Sequence, residues 1–167
     1  MNRVWIAFGS NQEQPVEQLL RARAQVADLE GMEEEAASPL YQTPPVGFEA
    51  QDDFINAVIR YRCKQTPQAL LQALLALELR LGRVRLFKNG PRVIDLDLLV
   101  FEGHILKTPT LTLPHPRMHE RAFVLQPLAT LDKTLCLGEY GTVAQCLARL
   151  PKQEIEAISK LTEPRWN

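Results

Sequence analysis

The stretch Ile94-Asp95-Leu96-Asp97-Leu98-Leu99-Val100-Phe101 constrains this chain most. Apart from two aspartates it is apolar throughout, the composition of a strand buried in a sheet. A strand's period of two turns both carboxylates to one face, with Cα atoms roughly 6 to 7 Å apart. Two such charges buried without compensation cost several kcal/mol, so the pair demands a partner. A hard cation is one: oxygen ligands with no Cys or His set favour Mg2+ or Mn2+ over zinc, and Mg2+ usually takes one or two carboxylates plus phosphate and water. Salt bridges to Arg85 or Arg92 are the other.

The residues just upstream bring an anion into the argument. Arg80, Arg83, Arg85, Lys88 and Arg92 crowd one short segment of a chain whose 19 Lys+Arg and 20 Asp+Glu leave a net charge of −1. Forked guanidinium donors match phosphate oxygens, and phosphoryl-transfer sites combine them with metal-bound carboxylates. Gly90-Pro91 would let this loop act as a lid; the plainer reading of the cations alone is a solvated basic loop. Neither G-x-x-x-x-G-K-[ST] nor G-x-G-x-x-G occurs, so a nucleotide would be held by side chains. His115, stiffened by Pro114 and Pro116, could donate to a phosphate, whereas His104 and His119 read as structural or exposed. A third cluster joins the rigid Thr43-Pro44-Pro45-Val46-Gly47 loop to Phe54 and Asn56, two apart in a strand. A stacking face beside an amide suits a flat polar ring, although Phe54 alone would read as core and the loop as a turn.

At 167 residues the chain has one domain's length and should bury roughly 70% of its unfolded surface. Its 46% hydrophobic and 23% charged residues exclude a disordered, fibrous or polyelectrolyte chain. No apolar run approaches the roughly 18 residues of a membrane span, and the N-terminus reads as a strand instead of a signal peptide, so a soluble cytoplasmic protein is expected. Cys63, Cys136 and Cys146 share no C-x-x-C spacing and read as small apolar residues in or near the core.

Periodicity predicts a strand over 4–8, a helix over 16–29 stopped by Gly31, a strand over 32–41 running into the stiff loop, and a strand over 54–62. A helix follows, capped by Thr66 with Pro67 in its first turn and ended by Gly82; then comes the strand over 94–101. This order predicts an α+β fold with a ferredoxin-like βαββαβ core, its helices packed on one face of the sheet. A Pro/His/Arg-rich loop over 113–121, an apolar segment over 123–131 and helices over 142–150 and 152–161 form a C-terminal helical elaboration. All of it, 1–167, reads as a single domain.

Taken together, ordered blocks of residues resemble the 6-hydroxymethyl-7,8-dihydropterin pyrophosphokinase family, folate-pathway enzymes that move pyrophosphate from ATP to a pterin alcohol. The blocks are Gly9-Ser10-Asn11, Tyr41-x-Thr43-Pro44-Pro45-x-Gly47, Gln51, Phe54-x-Asn56, Glu78, Gly82-Arg83-Val84-Arg85, Gly90-Pro91-Arg92-x-Ile94-Asp95-Leu96-Asp97, Pro114-His115-x-Arg117-Met118 and Arg121-x-Phe123-Val124-Leu125. The tail after Leu131 matches no motif.

The resemblance implies that Asp95 and Asp97 hold two Mg2+ ions bridging the phosphates of ATP. Arg83, Arg85, Arg92, His115 and Arg121 would contact the triphosphate, with Arg83 and Arg92 nearest the transferred group and Glu78 and Thr112 also on the nucleotide side. The pterin would stack between Phe54 and Phe123, its edge read by Asn56 and the backbone of Thr43, Pro44 and Val46. The hydroxymethyl oxygen attacks the β-phosphorus and AMP leaves, with Asp97 assisting the proton's departure. A monomer is expected, with ATP and the pterin as partners and neither nucleic acid nor membrane. Lys88-Asn89 stands where the family commonly carries Arg-Trp, implying weaker lid closure and reduced turnover; the alternative is a catalytically impaired nucleotide- or pterin-binding protein on the same fold. An RNA-binding sheet fits poorly, because the paired aspartates repel phosphate in the absence of metal.

Overall fold

Along residues 54–63, Phe54, Asn56, Val58, Arg60 and Arg62 alternate with Ile55, Ala57, Ile59, Tyr61 and Cys63, so a strand here has one polar-tolerant face and one apolar face. The structure, a computed structural model, describes residues 1–12, 14–45, 50–82 and 93–167. In chain order its elements are β1 (Asn2–Ser10), α1 (Pro15–Ala27), β2 (Met32–Ala37), β3 (Leu40–Thr43), β4 (Phe54–Cys63), α2 (Pro67–Arg80), β5 (Asp95–Phe101), β6 (Leu106–Lys107), β7 (Thr112–Leu113), α3 (Ala122–Asp132), α4 (Val143–Ala148), α5 (Lys152–Glu156) and β8 (Ser159–Leu161). The main sheet runs β5-β1-β4-β3-β8, with β2 also pairing with β4. All its pairings are antiparallel, and β1 meets β4 in unbroken register from Asn2 opposite Cys63 to Ser10 opposite Ile55. The expected βαββαβ core is present.

The strand anticipated over 32–41 is divided into β2 and β3. Pro39 cannot donate to a ladder, and Ser38 supplies the missing bond: its hydroxyl accepts from the Val58 N–H at 2.9 Å while its own N–H donates to the Val58 carbonyl at 2.8 Å. The break therefore leaves no buried backbone group unmet.

One face of the sheet, built on Val4, Ile6, Phe8, Ala57 and Ile59, is covered by α1 and α2 through Leu19, Val26, Leu70 and Leu74. Thr66 caps α2 by accepting from the Ala69 N–H at 3.2 Å, as its sequence implied. Contrary to the one-sided expectation, the other face is covered too. Trp5, Val58, Leu99 and Val100 pack there against Val124, Leu125 and Leu128 of α3 and Val143 of α4. Only half of this second face is apolar. The half bearing Gly9, Asn56, Asp95 and Asp97 offers α3 nothing to bury against, and it stays open.

Two further differences lie in the tail. The helix anticipated over 152–161 ends at Glu156, and Ser159–Leu161 becomes β8, with Ser159 opposite Gln42 and Leu161 opposite Leu40. The apolar segment over 123–131 is helical despite Pro127 within it. Beyond β8 the chain is pinned by Trp166, only 2% exposed, whose indole N–H donates to the Ser38 carbonyl at 2.7 Å. The Arg23 guanidinium lies 4.4 Å from its ring centre and Phe8 meets it edge-on at 6.3 Å. Of the three free cysteines, Cys63 and Cys146 are buried as expected, whereas Cys136 is exposed. Its neighbour Leu137 turns into the core at 1% exposure, which leaves Cys136 facing outward. Among the described residues no helix is long and apolar enough to cross a membrane.

Candidate active site

Period-two geometry puts Asp95 and Asp97 on the same face of β5, and the register shows which face: Asp97 lies opposite Ala7 and Asp95 opposite Gly9, on the half of the sheet that α3 leaves open. Across β1, Gly9 is also opposite Asn56, and Phe54 is opposite Thr43 on β3. At about 4.8 Å per strand, the aspartates and Thr43 are separated by roughly 14 Å across three strand steps. These residues floor a cleft of 470 Å³ whose lining comprises Gly9, Thr43, Pro44, Phe54, Asn56, Asp95 and Asp97 from the sheet. The turn entering α3 contributes Arg117, Glu120, Arg121, Ala122 and Phe123, and the C-terminal segment contributes Gln153, Glu154, Ala157 and Ile158. The volume is that of a small-molecule site.

Local bonds hold this floor in place. The Asn56 amide donates to Thr43 Oγ1 at 2.8 Å, which fixes its carbonyl oxygen over Gly9. A Cβ at position 9 would lie 3.0 Å from that oxygen, tighter than ordinary contact, so a side chain there would push the Asn56 amide aside by a few tenths of an ångström. Gly9→Ala is expected to displace the Asn56 amide and weaken binding of a flat polar ring in this cleft about tenfold, roughly the loss of one hydrogen bond. Calorimetric titration with such a ring would test it, and unchanged affinity would contradict it. Ser10 donates its hydroxyl hydrogen to the Val93 carbonyl, tying the end of β1 to the entry of β5. Asn11 donates to Gln51 Oε1 at 2.8 Å and to the Asp52 carbonyl at 3.0 Å, joining the loop after β1 to the one before β4.

Glu78 lies behind β5 instead of lining the cleft. It is 3% exposed, and its Oε2 accepts from the Leu96 N–H at 2.7 Å, on the residue between the two aspartates. Among the described residues β5 is the edge strand, and this carboxylate satisfies a donor that no strand there pairs.

His115 donates its backbone N–H to the Leu99 carbonyl at 2.8 Å, and its Nδ1 accepts from the Arg117 N–H at 3.2 Å. An accepting Nδ1 places the ring proton on Nε2, leaving that N–H available as a donor. Burial, followed by repulsion from Arg121 and Arg117 and partly offset by Asp95, lowers its pKa from 6.5 to about 4. The unfolded chain therefore binds more protons between these values. The stability held above pH 6.5 is lost as pH falls toward 4. In magnesium-free buffer the parent should lose on the order of 2 kcal/mol more than His115→Gln between pH 7 and pH 4.5. Urea unfolding at both pH values measures this, and parallel losses would contradict it.

Of the residues singled out in the sequence, the cleft gathers Asp95, Asp97, Thr43, Pro44, Phe54, Asn56, Arg121 and Phe123. Half-buried His115 adjoins it, and half-buried Thr112 lies on β7. Arg83, Arg85, Arg92 and Val46, with Lys88 and Asn89 of the anticipated lid, lie outside the described residues. Sequence reasoning assigned no role to Gly9, Arg117, Glu120, Gln153 or Glu154. The first three stand in or beside quoted blocks, but nothing local to α5 marks it. Among the described residues no cluster of three or more His, Cys, Asp or Glu could hold an ion by itself. A two-carboxylate pair at the edge of an open cleft suits Mg2+, which completes its shell with phosphate and water.

The family model for 7,8-dihydro-6-hydroxymethylpterin-pyrophosphokinase matches residues 5–133. The chain belongs to this family. It is 40% identical to the 2-amino-4-hydroxy-6-hydroxymethyldihydropteridine pyrophosphokinase of Methylorubrum extorquens over 158 residues, 95% of this chain and 99% of that one. It is likewise 40% identical to the enzyme of that name from Pseudomonas aeruginosa, covering 95% and 98%. Among solved structures, a Plasmodium falciparum HPPK-DHPS superposes with a TM-score of 0.75 at 13% identity, covering 95% of this chain and 48% of that longer one. That likeness bears on the fold alone. In this pyrophosphokinase, the matched stretch ends near the close of α3, before α4, α5 and β8.

Proposed function

We propose that this chain transfers the pyrophosphoryl group of ATP to the hydroxymethyl oxygen of 6-hydroxymethyl-7,8-dihydropterin, with release of AMP, in folate biosynthesis. The observation that carries the proposal is one cleft, in a pyrophosphokinase of this family, with two carboxylates at one end and two aromatic rings with a fixed amide at the other. The carboxylate end takes the phosphates. Asp95 and Asp97 hold two Mg2+ ions, which when bound offset charge on the phosphoryl oxygens. Arg121 and the Nε2–H of neutral His115 bind phosphate oxygens from the α3 side, and the Arg117 guanidinium adds a second cation there. Arg83, Arg85 and Arg92 are assigned to the triphosphate, Arg83 and Arg92 nearest the transferred group, and Thr112 to the nucleotide side. Glu78 serves the nucleotide side through its bond to the backbone of β5.

At the other end the pterin stacks between Phe54 and Phe123. Asn56 and the backbone of Thr43, Pro44 and Val46 meet its polar edge, because a buried heterocycle must keep its hydrogen bonds. The hydroxymethyl oxygen then forms its bond to the β-phosphorus, the bond from that phosphorus to the bridging α,β-oxygen breaks, and AMP carries that oxygen away. Asp97 assists departure of the hydroxyl proton. Orientation accounts for most of the acceleration, since the cleft aligns the attacking and leaving oxygens while the protein does little covalent work. The chain is assigned a monomeric state. AMP release from ATP and Mg2+ with and without the pterin tests the reading. Pterin-dependent AMP is the expected result, and binding of both substrates without AMP would overturn the activity.

A further inference from the structure

α5 and the two residues after it form the one wall of the cleft that lies beyond the stretch matched by the family model. Its position is set by the sheet. β8 begins at Ser159, opposite Gln42, so Ala157 and Ile158 arrive beside Thr43 and Pro44, at the sheet edge away from β5. The wall therefore stands about 14 Å or more from the aspartates, three strand steps across the floor. It faces the aromatic end.

The side chains of α5 divide by direction. Lys152 and Glu156 pair with each other at 3.7 Å, one turn apart. Gln153 and Glu154 line the cleft, and among the described residues neither side chain has a hydrogen-bond or ion-pair partner. Ala157 and Ile158 complete the wall with apolar surface. A carboxylate here would repel a phosphate, yet it is a good acceptor for N–H groups of a neutral ring. Asn56 and the Thr43-Pro44 backbone approach that ring from the sheet, so α5 meets it from the opposite, open side.

Building on the function proposed above, we infer that Glu154, assisted by Gln153, accepts hydrogen bonds from ring N–H groups of the pterin, making the C-terminal segment part of the substrate site. It acts on one substrate only. The wall is held at a distance by β8 pairing with β3 and by Trp166 bonded to Ser38, so the segment arrives already ordered. Ordering before binding spares the affinity that a loose tail would lose.

The test is calorimetric binding of 6-hydroxymethyl-7,8-dihydropterin, with KM for pterin and for ATP, in the parent, in the double variant Gln153→Ala/Glu154→Ala, and in Glu154→Gln. The double variant should bind pterin about tenfold more weakly, as expected for losing one or two hydrogen bonds, while the KM for ATP shifts by less than about twofold. Glu154→Gln keeps a carbonyl acceptor and should recover most of the affinity. Circular dichroism and the thermal midpoint should be unchanged, because among the described residues the replaced side chains have no partners. Unchanged pterin affinity in the folded double variant, or equal losses for pterin and ATP, overturns the inference. A parent protein that binds pterin but makes no AMP overturns the proposed activity, and the binding constants still decide the role of α5. A parent that fails to bind pterin overturns both.

Discussion

Asp97→Ala is expected to lower pterin-dependent AMP formation about a hundred- to a thousandfold, the scale seen when a preorganised electrostatic group is removed at a charge-developing centre. The prediction rests on position as well as charge. Asp97 lies opposite Ala7 in the β1–β5 register, and its neighbours Leu96 and Leu98 are buried on the opposite face against α2. Alanine at 97 keeps those contacts, so far-UV circular dichroism should match the parent and the loss should fall on chemistry and on binding of MgATP. Asp97→Asn separates two roles of the side chain. It retains an oxygen ligand without the charge, and it should recover less than a tenth of the activity if charge compensation dominates. Retention of about a tenth or more of parental turnover by Asp97→Ala would remove Asp97 from the metal site and return the pair to a salt-bridging role.

The second large effect is on stability. Trp166→Ala should cost about 3 to 5 kcal/mol in urea unfolding, the usual range for emptying a buried tryptophan site. The indole fills a space bounded by Phe8, Arg23 and the Ser38 carbonyl at the junction of β2 and β3, so its removal leaves a cavity and an unmet buried acceptor together. Trp166→Phe keeps most of the ring and loses the indole N–H, and it should cost only about 1 to 2 kcal/mol. A change below about 1 kcal/mol for the alanine variant would contradict the anchoring role. Trp166→Ala should also weaken pterin binding more than ATP binding, because the anchor holds β8 and hence α5 at the aromatic end.

Much of the site was legible in order, although its assembly was not. Asp95 and Asp97 announced themselves because charge inside an apolar strand is costly, and period two made them neighbours without any knowledge of the fold. The alternation over 54–62 likewise put Phe54 and Asn56 on one side, and there they are. Pro127 obscured α3, because an internal proline removes a helical bond that burial against Trp5 and Val58 outweighs. The one-sided sheet failed for a related reason: a half-apolar face looks solvent-facing until a C-terminal helix is folded onto it.

What local sequence determined was what each short segment could bury and which way its alternate side chains would turn. Tertiary structure decided the rest. Leu99 is an extra residue in β5 between Leu98, opposite Ile6, and Val100, opposite Trp5, a bulge that returns Phe101 to the α1 and α2 side. Pairing of Gly9 with both Asp95 and Asn56 made an absent side chain the floor of a cleft. Pairing of β8 with β3 brought Glu154 to the aromatic end, far along the chain from every residue it faces. Side-chain period is a property of neighbouring residues, whereas strand register and edge pairing are settled by contacts between distant ones, which no local pattern encodes.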